Sequence, residues 1–122
     1  MVKNMTHESA RGIVEFYLKA KGRTILEKNQ VFFDKAFIEE HKLTKRYQGH
    51  SYDIWTDQEI IEIDDYQKHS KRGQKINDGV ATEFATNHLS QWKFYRLLKE
   101  EIVDRRGVLQ PTAAAYLKEH LF

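Results

Sequence analysis

The chain has 122 residues, 20 Lys and Arg against 18 Asp and Glu, a net charge of +2, 40% hydrophobic residues, one proline and no cysteine. That length suits one domain, 1–122, with a real core. The lack of cysteine excludes a disulfide framework, a thiolate nucleophile and a Cys-based zinc site. Near-balanced charge gives no whole-chain argument for nucleic acid. No stretch approaches the roughly 20 apolar residues of a membrane span, and Met1–Glu8 lacks a signal-peptide core. The expectation is a cytoplasmic protein with no membrane partner.

In chain order, the spacing of Ala10, Ile13, Val14, Tyr17 and Leu18 predicts a helix from near Thr6 to about Lys21. Thr6 is its expected N-cap and Gly22 its stop. Arg23–Lys28 and Gln30–Phe33 read as short extended segments, and Asp34 as the cap of a short helix, Lys35–His41. Tyr47–Trp55 is extended again, followed by a tight turn at Thr56-Asp57-Gln58 and a strand, Glu59–Asp64. A polar loop, Asp65–Gly73, leads to a helix from about Gln74 to Asn87. Trp92–Leu98 alternates like a strand, although Ser90 could equally cap a helix running to Asp104. Pro111 suits the first turn of a last helix, Thr112–His120.

The stretch Glu62-Ile63-Asp64 carries the main chemical signal. Strand alternation puts Glu62 and Asp64 on one face. A hairpin with a two- or four-residue loop sets Trp55 opposite Ile60, Ile54 opposite Ile61 and Asp53 opposite Glu62. Three carboxylates then gather on one patch, with Ile54, Ile61 and Ile63 behind it. Opposed like charges repel, so a cation between them is one reading. Acidic residues at solvated strand ends are the other. Downstream, Lys68, His69, Lys71, Arg72 and Lys75 form a basic segment. It is either a solvated loop or a phosphate-backbone contact. Trp55, Tyr66 and Trp92 could stack on bases, although such aromatics are more often core. His7, His41, His88 and His120 have no partner at metal-ligand spacing. Alternation puts His50 on the face opposite Asp53 unless a bulge intervenes at Gly49.

Asp53, the apolar run Ile60–Asp64 ending in Glu-x-Asp, His69, Asp78 on a helix and Arg96 on a strand together resemble the PD-(D/E)XK nuclease superfamily. The nearest look is to very-short-patch-repair endonucleases and their small uncharacterised relatives. The likeness spans roughly 6–98 and is specific over 53–78. It implies an α/β protein of restriction-endonuclease-like architecture, a mixed central sheet flanked by helices. It implies metal-dependent hydrolysis of DNA, in repair, recombination or restriction, with Mg²⁺ or Mn²⁺ on Asp53, Glu62 and Asp64 and a further ligand in the Ile63 carbonyl. His69 or Lys75 would orient water, protonate the leaving oxygen or stabilise the transition state. Glu8 would add a carboxylate from the first helix. Lys68, Lys71, Arg72 and Lys75 would contact DNA, and a homodimer or partner protein could supply specificity. Two departures stand out. Asp64 occupies the position where the familiar motif has lysine, and Tyr52 rather than proline precedes Asp53. They keep open a catalytically degenerate nucleic-acid-binding or assembly module on the same fold. A plain interaction domain is the third reading.

Overall fold

The computed structural model describes residues 5–65 and 72–121, the side chains of 5 and of 72–77 excepted. The protein is a mixed α/β chain. Its elements are α1 (Met5–Ala20), β1 (Gln30–Phe32), α2 (Lys35–His41), β2 (Gly49–Ser51), β3 (Ile54–Trp55), β4 (Glu59–Asp64), α3 (Arg72–His88), β5 (Lys93–Leu98), a 3₁₀ turn at Lys99–Glu101, and α4 (Ala113–Leu121). Strands β3, β4 and β5 form one sheet with β4 central, antiparallel to β3 and parallel to β5. The parallel pair is reached through α3, as a parallel connection requires a crossover. β1 and β2 form a separate antiparallel pair. No helix among the described residues is long and apolar enough to cross a membrane.

Alternation along β4 explains the layers. Ile61 and Ile63 join Ile54 and Leu97 against Ala10, Val14 and Leu18 of α1 and Leu117 of α4. On the other face Ile60 packs with Tyr52, Trp55, Ala81 and Ala85. Phe33 and Phe37 extend that side onto Val80 and Phe84 of α3. β4 is therefore covered on both faces, the usual fate of a strand with a parallel neighbour.

Local signals account for most boundaries. Gly22, at φ 84°, ends α1, with the Arg23 N–H returning to the Leu18 carbonyl. Asp34 caps α2 by accepting from the Phe37 N–H at 2.8 Å. The hairpin register is the expected one, Ile54 with Ile61 and Trp55 with Ile60. The Thr56 N–H bonds the Glu59 carbonyl, leaving Asp57-Gln58 as the loop. Two expectations need correction, and one open alternative is settled. Thr6 lies one residue inside α1, and its hydroxyl accepts from Lys99 Nζ at 3.0 Å. The Arg23–Lys28 segment contributes one bridge, Ile25 to Thr56, rather than a strand. Residues 93–98 resolve the ambiguity as strand, because their neighbour β4 supplies ladder partners that a helix would forgo.

The chain bends at Asp53. Tyr52 turns its backbone to Asn29, donating N–H to the Asn29 carbonyl at 2.9 Å and accepting from Asn29 Nδ2 at 2.7 Å. β2 thus leaves the main sheet and pairs with β1. Gly49 makes no bulge. It sits opposite Phe32 in regular register, where a Cβ would lie 2.6 Å from the Val31 carbonyl oxygen. Gly49→Ala should therefore cost about 1–3 kcal/mol through overpacking. Gly79→Ala, in open space on α3, should stabilise by roughly 0.5–1 kcal/mol. Urea unfolding of both variants checks the contrast.

Candidate functional site

The bend leaves two backbone donors without ladder partners, and two carboxylates meet them. Asp53 Oδ2 accepts from the Ile63 N–H at 2.7 Å. Glu62 Oε1 accepts from the Asp53 N–H at 2.9 Å. The reciprocal bonds hold the acids side by side, as the register predicts. Glu62 is buried, at 6% exposure. Burial pushes its pKa up, the His50 hydrogen bond pulls it back, and the Asp53 charge adds a smaller upward push.

The outer oxygen of each acid faces an imidazole, which corrects two expectations. His7 Nε2 lies 3.2 Å from Asp53 Oδ1. His50 Nε2 lies 2.9 Å from Glu62 Oε2. Alternation failed for His50 because the strand is broken between Ser51 and Ile54. His7 was legible in principle, since it lies one turn before Ala10 on the stripe that faces the sheet. Its hydrogen bond to Asp53 raises its pKa, against a smaller opposing push from burial.

Asp64 has a different partner. Arg96 Nη1 donates to Asp64 Oδ1 at 2.8 Å. The same guanidinium reaches Thr82 Oγ1 at 3.0 and 2.8 Å and the Asp78 carbonyl at 2.8 Å. It clamps β4 and β5 to α3. Asp78 and Arg96, both singled out from sequence, therefore meet through the Asp78 main chain. Glu8 is half exposed and pairs with Arg11 Nη2 at 3.0 Å, with His7 Nδ1 at 3.9 Å. Lys99 lies outside every sequence motif, so no local pattern marks it. Its ammonium sits 2.7 Å from Asp65 Oδ2. Together with Thr6, Asp65 and Arg105 it lines an open cleft that begins one residue from both His7 and Asp64. Lys68, His69 and Lys71 lie outside the described residues, as do the side chains of Arg72 and Lys75.

The Asp53–Glu62 pair offers anionic oxygens and imidazole nitrogens, a donor set that suits Mg²⁺ or Mn²⁺ on the oxygens. Each outer oxygen already accepts from or faces its histidine, so an ion there would bind alongside the imidazole contact, on the remaining lone pairs. Among the described residues, the three ligand atoms lying within 4.8 Å of one another are those of Glu40, His41 and Glu83. His41 therefore does have neighbours at ligand spacing, with Nε2 2.6 Å from Glu83 Oε2. Comparison with protein-family models, curated proteins and solved structures finds no match to the chain.

The His7–Asp53 contact makes stability pH-dependent. A histidine whose folded pKa is raised contributes stability that is complete below its unfolded value. That stability is lost as pH rises through the folded value. Wild type should lose stability as pH climbs from about 6.5 upward. His7→Gln should remove that part of the decline. Denaturation midpoints measured across the window, with identical slopes for both proteins as the result against it, decide the point.

Proposed function

We propose that the protein is a divalent-metal-dependent nuclease of restriction-endonuclease-like architecture, hydrolysing DNA phosphodiester bonds at the Asp53–Glu62 pair. The observation that carries this reading is the pair itself. Two acids from adjacent segments are locked by reciprocal main-chain bonds, one of them is buried, and both present their outer oxygens toward histidine. Carboxylates fixed side by side could hold a divalent cation in a preset position, and it is that positive charge which a phosphoryl transition state needs. The mixed sheet with α1 and α4 on one face and α3 on the other agrees with the architecture that the resemblance implies.

Asp53 and Glu62 would hold Mg²⁺ or Mn²⁺, with Asp64 contributing through water. The ion would activate water and offset phosphoryl charge. His50 orients Glu62, and His7 places a proton donor beside Asp53. Lys99 and Arg105 face the neighbouring cleft, where a phosphate backbone would add to contacts from Lys68, Lys71, Arg72 and Lys75.

One observation favours the second reading, a binding or assembly module. Asp64 stands where a catalytic lysine is usual and is held by Arg96. In that reading the acids serve the bend alone.

Incubation with supercoiled, branched and mismatched DNA, with and without Mg²⁺ or Mn²⁺, separates the two. Cleavage is expected with metal. Asp53→Asn should lower it on the order of 10²–10⁴-fold, the range for a group acting on the chemical step, with DNA affinity little changed. Replacing Lys68, Lys71, Arg72 and Lys75 by Ala should instead weaken binding to all sequences. The salt slope should fall by about one unit per lost phosphate contact. Binding without cleavage under every condition would select the module.

A further inference from the structure

We infer that Tyr47 and His50 are positioning residues for Glu62, joined in a hydrogen-bond chain, Tyr47–His50–Glu62, that selects one imidazole tautomer and fixes the outer carboxylate oxygen. This rests on the reading of Glu62 as a site carboxylate.

The geometry is a continuous line. Tyr47 Oη lies 3.1 Å from His50 Nδ1, and His50 Nε2 lies 2.9 Å from Glu62 Oε2. Glu62 Oε1 is already satisfied by the Asp53 N–H. An ionised carboxylate this deeply buried needs a donor at its second oxygen as well. His50 Nε2 is the nitrogen in place to supply it. A neutral imidazole carries one N–H, so Nδ1 must then accept. The group facing Nδ1 is the Tyr47 hydroxyl. Burial, and after it the negative charge on Glu62, push Tyr47 ionisation far into alkali, so its proton remains available. With Glu62 ionised and His50 neutral, the chain has one polarity, with Tyr47 donating to Nδ1 and Nε2–H donating to Glu62.

Packing holds each member still. The Tyr47 ring meets Phe33 edge-on at 5.4 Å. The His50 ring meets Tyr52 edge-on at 4.8 Å. Tyr52 is anchored in turn by its hydroxyl, which donates to the Ala81 carbonyl at 2.9 Å. A partner that fixes tautomer and ring direction is how outer groups orient a ligand carboxylate or histidine. Sequence alone hides the chain, because Tyr47, His50 and Glu62 share no periodicity across the bend.

The test uses the full chain with ¹⁵N-labelled histidine. Long-range proton–nitrogen spectra at neutral pH should show His50 protonated at Nε2 and bare at Nδ1. Tyr47→Phe should lose that selection and give both tautomers. Mn²⁺ binding, read by electron paramagnetic resonance, should weaken about 10- to 100-fold in His50→Ala. His50→Gln, whose amide N–H can take the place of Nε2–H, should recover most of it. An Nδ1–H or doubly protonated ring in wild type, or an unchanged tautomer in Tyr47→Phe, overturns the inference. So does wild-type Mn²⁺ affinity in His50→Ala. If wild type takes up no Mn²⁺ at all, the metal-dependent reading falls, and the tautomer spectra decide the chain by themselves.

Discussion

The structure turns on how the chain solves a hydrogen-bonding problem at Asp53. β2 pairs with β1, and the chain then crosses at Tyr52-Asp53 to pair with β4 for only two residues as β3. A departure of this kind strips amides of their ladder partners inside the fold, where an unmet donor is costly. Asp53 and Glu62 answer by each taking a main-chain N–H from the other's segment. Two like charges are thereby forced together. Imidazoles from α1 and β2 then attend their outer oxygens, and Arg96 attends Asp64. The placement of Tyr47 and His50 beside Glu62 follows from that bend, while α1 brings His7 to Asp53 and the β4–β5 ladder brings Arg96 to Asp64.

Much of this was legible in the sequence. Apolar alternation in Glu59–Asp64 and the short loop at Asp57-Gln58 set the hairpin register, and the register set Asp53 beside Glu62. The stripe on α1 and the Asp34 cap were equally readable, because helix periodicity and capping are local. What could not be read was the break after Ser51. Nothing between Tyr47 and Trp55 disrupts an extended pattern, so alternation assigned His50 to the wrong face. The bend is driven by Asn29, whose backbone and side chain capture Tyr52 from 23 residues away. Such a long-range contact leaves no periodic trace. The ambiguity at Trp92–Leu98 had the same origin, since only the neighbouring strand decides between helix and ladder.

The carboxylates can be explained twice, and the two explanations make different demands. As structural groups they need only satisfy the bend, and then the histidines serve as local charge partners. As a hydrolytic centre they must also give their outer oxygens to an ion, alongside those same histidines. Mutual repulsion between Asp53 and Glu62 favours a cation in either case. The structural account requires no more positive charge than the chain supplies itself. The proposed hydrolytic account has the histidines share the oxygens, with the Tyr47–His50 chain keeping Glu62 in one orientation as they do.

A crystal structure grown in Mn²⁺, examined for anomalous scattering, tests the proposed centre most directly. The account predicts a peak at bonding distance from Asp53 Oδ1 and Glu62 Oε2, with His50 still against Glu62. A peak confined to the Glu40–His41–Glu83 cluster, or no peak at the bend at saturating Mn²⁺, would contradict it.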